Sequence, residues 1–356
     1  MLDFSSALYL GMPHASRGLR PWQQLTVGAP ASIATPAGAR EVAQTLARFI
    51  GCERVTLAPS TLHLFWDLFG MLAREGIMIF LDAGTYPVAR WGVERATGRG
   101  VAARNVSHHN VRVLRELLRR EPQRKPVIVT DGFCPECGKV APLAEYLKAA
   151  REHNGYLIID DTQALGILGH SPSAEFPYGK AGGGALRFTN VQGSEVLMIS
   201  SLAKGFGVPL ALLAGGKAMI AHFEAQSETR VHCSPPSVAV LRAAESALAE
   251  NEMNGEVLRL QLAQLVRRFR DRLHRTGVKT SGGLFPVQTI TPRNDAEAIN
   301  LHQRLLQNGV RTVLHRGRNG RQARLSFILT AAHSKDDIDR AIGCLSQAFS
   351  SSRVGL

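Results

Sequence analysis

Two stretches of this sequence hold side chains suited to covalent catalysis. In GYLIIDDTQALGILG, Asp160 closes an apolar run. A carboxylate at the end of a buried strand is costly unless a cation or strong donors face it. In LMISSLAKGFGVPLALLAGG, Lys204 follows a serine-rich strand end and sits beside Gly205 and Gly207. A lysine held near a strand end in small surroundings can have its pKa lowered and act as a Schiff-base nucleophile. Taken singly, Asp160 reads as a helix cap and Lys204 as a solvent-facing loop residue; their order and neighbours favour the chemical reading. Pyridoxal phosphate needs such a set: a lysine for its aldehyde, a carboxylate for its pyridine nitrogen, and hydroxyls with backbone N–H groups for its phosphate.

A third stretch, VTDGFCPECGKVAP, places Cys134 and Cys137 at a spacing that suits a metal, a redox dithiol or an ordinary loop. The chain offers no second Cys-x-x-Cys pair, and His108 and His109 are adjacent residues in a loop. A thioredoxin-like dithiol would open a helix, whereas Gly138 and Pro142 prolong the loop. The expectation is therefore no metal and no redox chemistry, but a loop beside the site in which Cys137 contacts substrate.

The elements that must position these groups alternate helical periodicity with short apolar runs from about residue 40, the pattern of an α/β domain with a mainly parallel sheet. GIMIFLDAG, KPVIVTDG, GYLIIDD and EVLMISS read as buried parallel strands. Helices are expected over residues 40–50, 111–120, 143–154 and 237–275. Ligands gather at the carboxyl ends of such strands, which carry Asp82, Asp131, Asp160 and Ser200/Ser201. FPVQTI, a helix over 296–307, GVRTVL, ARLSFIL and a last helix starting at Ser334, with Asp337 completing a capping box, make a smaller α+β part. The expected division is a large cofactor domain over 40–250 and a small domain formed by 1–39 with 251–356.

A chain of 356 residues that is 45% hydrophobic and 20% charged buries a large core. The five cysteines suggest no disulfide framework, and the N-terminus lacks the basic and apolar regions of a signal peptide, so a soluble, cytoplasmic, unprocessed protein is expected, with no membrane partner. A net charge of +13 favours anionic partners. The basic residues lie on helices without interleaved aromatics, which argues against nucleic acid.

Over nearly its whole length the chain resembles the fold-type I pyridoxal phosphate enzymes, in the α-oxoamine synthase branch. FSSALYLG, LAPSTLHL, VTDG with GKVAPL, LIIDDTQALGILG, SSLAKGFG and ARLSFILTAAH carry the likeness in collinear order. The resemblance implies that Lys204 bonds the cofactor, Asp160 faces its ring nitrogen and Tyr86 stacks on the ring. It also implies that Ser201 and the backbone of Thr61 and Leu62 hold the phosphate, with Ser234 reaching the phosphate of a partner subunit in a homodimer. There are departures: the synthases usually have histidine at Tyr86 and Gln163 and arginine at Ser326. Gln163 then meets the cofactor's phenolic oxygen without titrating. Arg324, or the loop with Arg316, Arg318 and Arg321, takes over the substrate carboxylate. The implied reaction joins a carbanion made from an amino acid to an activated electrophile, such as an acyl-coenzyme A or a carrier-bound acyl group. The alternatives are aminotransfer, elimination or replacement at the β or γ carbon of an amino acid such as a sulfonium-bearing one, or a non-catalytic protein that retains the fold.

Overall fold

The computed structural model describes residues 1–317, 320 and 322–353. Its centre is a seven-stranded sheet in the order Arg54–Ala58, Ala211–Gly215, Val196–Ser201, Tyr156–Asp160, Lys125–Asp131, Ile77–Asp82, Ala102–Val106. All neighbours are parallel except Ala211–Gly215, which runs antiparallel to both of its own. The continuous apolar runs have a simple cause. In Ile77–Asp82, Met78 and Phe80 enter one hydrophobic cluster while Ile77, Ile79 and Leu81 enter another, so both faces of the strand are buried.

Helices cover the faces and aim their N-termini at the strand ends. Thr61–Leu72 follows the edge strand, Pro87–Thr97 follows Ile77–Asp82, and Val111–Arg120 is capped by the Asn110 side chain, which accepts from the Val113 amide at 3.1 Å. Val238–His274 forms one helix of 37 residues, capped by the Ser237 side chain, and it runs unbroken through position 250. Beyond it lies a four-stranded antiparallel sheet, Thr280–Ser281, Val287–Ile290, Ala323–Ile328, Val313–Arg316. The capping box of the last helix is present: Ser334 N–H donates to Asp337 Oδ2 at 2.8 Å, and Asp337 N–H to Ser334 Oγ at 3.1 Å.

The N-terminal segment is laced to this smaller part: Leu2 pairs with Val310, and Ile328 N–H donates to the Phe4 carbonyl at 2.8 Å. Among the described residues, no helix is long and apolar enough to cross a membrane.

Candidate active site

Parallel pairing brings the strand ends to one level. Asp131 lies opposite Asp160, Asp160 opposite Ile199, and Ser201 opposite Ala211, which in turn faces Ala58. Neighbouring strands are about 4.8 Å apart, so Ser201 and Ala58, the last strand residue before the turn that starts the helix Thr61–Leu72, stand roughly 10 Å apart.

Asp160 is 7% exposed. Its carboxylate accepts from the Thr162 N–H at 3.0 Å. Burial raises its pKa, and the Thr162 hydrogen bonds and the charge of Lys204 only partly oppose this. Burial likewise lowers the pKa of Lys204 despite the charges of Asp160 and Asp131. Among the described residues Lys204 makes no hydrogen bond or ion pair; its Nζ lies 5.8 Å from the centroid of the Tyr86 ring.

Tyr86 caps the N-terminus of Pro87–Thr97, and its amide donates to Asp131 Oδ1 at 2.9 Å, leaving the ring half exposed. Ser60, which precedes Thr61–Leu72, spends its hydroxyl on His63 Nδ1 at 2.8 Å and does not cap the helix. The first-turn N–H groups of Thr61 and Leu62 are thus left to bind an anion. Ser201 Oγ accepts from the Ala203 N–H at 3.2 Å.

These features fit pyridoxal phosphate. A buried carboxylate with an amide donor is completed by a pyridinium N–H, a desolvated amine with no hydrogen bond or ion pair among the described residues is ready for an aldehyde, and a helix start without a side-chain cap takes a phosphate.

Other expected residues are already engaged. Gln163 Oε1 accepts from the Tyr9 hydroxyl at 2.6 Å, so its amide N–H groups are the part left to donate. Arg324 is ion-paired with Glu136 of the Cys-Pro-Glu-Cys loop. Ser326 Oγ bonds Thr289 Oγ1 at 2.7 Å and His315 Nε2 at 2.8 Å. Arg316 pairs with Asp295 at 3.1 Å on the surface, and Ser234 is exposed. Arg318 and Arg321 lie outside the described residues.

Sequence reasoning missed the N-terminal segment as part of the site. Tyr9 holds Gln163, and the His14 ring nitrogen Nε2 donates to the Phe206 carbonyl at 2.7 Å, two residues beyond Lys204. The motif FSSALYLG was visible, but no spacing rule ties it to residues 150 positions away.

Fold and site together define a pyridoxal-phosphate-dependent transferase of fold type I, similar to the α-oxoamine synthases. The chain belongs to the family described as aminotransferase class I and II, which matches residues 23–345. It is 26% identical over 362 residues to the 8-amino-7-oxononanoate synthase of Marinobacter nauticus, covering 98% of this chain and 88% of the relative. It is 24% identical to the synthase of the same name from Coprothermobacter proteolyticus, over 96% of this chain and 86% of the relative. Among solved structures, a serine palmitoyltransferase variant from S. paucimobilis with a bound PLP–myriocin aldimine superposes with a TM-score of 0.86 at 17% identity, over 99% of this chain and 88% of the other. The 8-amino-7-oxononanoate synthase of Francisella tularensis gives a TM-score of 0.77 at 21% identity, over 99% and 98%.

Proposed function

We propose that this enzyme forms a carbon–carbon bond between an amino acid and an activated acyl donor, an acyl-coenzyme A or an acyl group on a carrier protein. The observation that carries the reading is the desolvated Lys204 beside the buried Asp160 and the Tyr86 ring, in a chain collinear with 8-amino-7-oxononanoate synthases. Bound pyridoxal phosphate supplies an electron sink for negative charge at the amino acid's α-carbon.

The chain's own groups do the rest. Asp160 keeps a proton on the ring nitrogen, since a buried carboxylate is stabilised by a cationic N–H. The Tyr86 ring packs against the cofactor face and limits its tilt. The Thr61 and Leu62 amides, with Ser201, anchor the phosphate end. Lys204, whose pKa is held down by burial, takes and returns the proton at the α-carbon. Gln163, oriented by Tyr9, donates to the cofactor's phenolic oxygen without changing charge. Arg324 binds the substrate carboxylate by exchanging Glu136 for it. A net charge of +13 draws in a phosphorylated or carrier-bound donor.

A homodimer is part of this reading. Leu62, Trp66, Tyr86 and Trp91 are all 43–50% exposed on the two helix starts and faces that flank the site, an apolar surface suited to a second copy. Ser234, exposed before Pro235, would then serve the partner's phosphate.

The test is to incubate the purified holoenzyme with single amino acids and an acyl-coenzyme A, with thiol release as readout. Release that depends on the amino acid is expected, and Lys204→Ala abolishes it. Keto-acid formation without a thioester overturns the reading in favour of aminotransfer.

A further inference from the structure

The loops that leave the strands Ala102–Val106 and Lys125–Asp131 meet in a cluster of nitrogen and sulfur atoms. Ligating atoms of His108, His109 and Cys137 all lie within 4.8 Å of one another. Two adjacent histidines in a loop, with no second Cys-x-x-Cys pair, raised no expectation of a metal, and an extended chain would send their side chains to opposite faces. His109, however, has φ of 53°, the left-handed region that non-glycine residues seldom occupy. As a result the two imidazoles stand side by side, with centroids 3.7 Å apart and planes at 31°.

The outer partners are those of a metal-bound histidine. His108 Nδ1–H donates to Asp82 Oδ1 at 2.7 Å, which turns Nε2 toward Cys137 Sγ at 3.5 Å. Asp82 is itself fixed by the His109 amide at 2.8 Å, the Gly84 amide at 2.6 Å and the Tyr146 hydroxyl at 3.1 Å. A carboxylate on the far nitrogen sets the ring's tautomer and direction in histidine–metal sites.

Cys134 adjoins the cluster. Its thiol interacts with His108, and its sulfur accepts the Cys137 N–H at 3.4 Å. Gly138, at φ 69°, closes the turn by donating its N–H to the Cys134 carbonyl at 2.8 Å.

We propose that His108, His109 and Cys137, completed by Cys134, bind one divalent transition-metal ion of the zinc class. Two thiolates and two imidazoles match zinc's ligand preference and its four-coordinate structural sites. Around a tetrahedral ion with Zn–N of about 2.1 Å and Zn–S of about 2.3 Å, sulfur and nitrogen stand roughly 3.5 Å apart, and Cys137 Sγ and His108 Nε2 are 3.5 Å apart.

With four protein ligands the site is closed, so its work is structural. It ties the two loops together beneath Glu136, which pairs with Arg324 of the smaller sheet. Cys137 then serves as a ligand rather than as the substrate contact expected from the sequence. The site does not depend on which reaction the enzyme runs.

The experiment measures metal by elemental analysis of the full-length holoenzyme, purified under reducing conditions, incubated with a zinc salt and desalted. About one zinc per chain is expected, falling below about a tenth in Cys137→Ser and in His109→Gln, while bound pyridoxal phosphate stays at the wild-type level. Wild-type protein holding less than a tenth of an equivalent overturns the assignment, as does full zinc retention in folded Cys137→Ser. If a variant misfolds, chelator treatment of the wild type decides: loss of the zinc must lower the melting temperature, and an unchanged one also overturns it.

Discussion

Replacing Asp160 by Asn separates the cost of this carboxylate from its use. Without cofactor, the 7%-exposed carboxylate has one amide donor and a nearby lysine whose own charge is disfavoured by burial. Its folded-state pKa is raised above the ordinary 3.8 by burial. The folded apoprotein therefore holds this proton more tightly than the unfolded chain does. The associated stability is fully present below pH 3.8 and is lost as pH rises through the raised folded value. Asp160→Asn removes that loss, so the apoprotein near neutral pH melts at the same temperature as wild type or higher. Cofactor binding moves the other way. Truncating one partner of a buried, hydrogen-bonded charge pair costs about 2–5 kcal/mol, which corresponds to roughly 30-fold or more in affinity for pyridoxal phosphate. Differential scanning fluorimetry of apoprotein and equilibrium cofactor titration read the two effects independently. Cofactor affinity within threefold of wild type would refute the placement of Asp160 at the ring nitrogen. A strongly destabilised apoprotein would refute the claim that burial dominates its electrostatics.

Other perturbations test the parts around it. Glu136→Gln releases Arg324 and is expected to lower KM for the amino acid severalfold, whereas Arg324→Met raises it; steady-state kinetics with both variants would expose an Arg324 that never meets substrate as two unchanged KM values. Gly138→Ala must hold φ near 69° and would place a Cβ 2.5 Å from the Gly282 backbone carbon, so denaturant unfolding should show a loss exceeding the 1–2 kcal/mol, approximately, of a left-handed non-glycine residue. Tyr9→Phe leaves Gln163 without its donor, at a cost of about 1 kcal/mol in stability, and should reduce kcat more than it alters the melting curve; equal kcat would remove Gln163's orientation from the account. Ser334→Ala deletes half of the capping box and should cost about 1 kcal/mol in urea denaturation.

The placement of elements was largely legible. The strands Ile77–Asp82, Lys125–Asp131, Tyr156–Asp160 and Val196–Ser201 announce themselves because both of their faces are buried, and the helix Val111–Arg120 begins and ends where its apolar period and flanking residues say it should. Three members of the central sheet were harder. Ala102–Val106 is a largely exposed edge strand, Ala211–Gly215 is antiparallel to its neighbours, and Arg54–Ala58 is the opposite edge with a partly exposed pattern, so none carries the pattern of a central parallel strand. In the candidate site, Asp160 and Lys204 could be named from the chain because one ends a strand and the other follows a strand end by three residues, positions that local pattern reveals.

What the sequence by itself determined, then, is the order of elements, the residues at the strand ends and the chemistry that lysine and carboxylate suit. Those depend on local periodicity, on capping and on residue type. Tertiary structure alone decided which groups meet. Asp82 fixes His108 through a contact 26 residues long, Glu136 pairs with Arg324 across 188, and Tyr9 reaches Gln163 across 154. Such pairings are set by sheet register and by the backbone conformation of single residues. The left-handed φ at His109, which turns two adjacent histidines toward the same cysteine, is stabilised by Asp82 on another strand, and no periodicity in the chain encodes it.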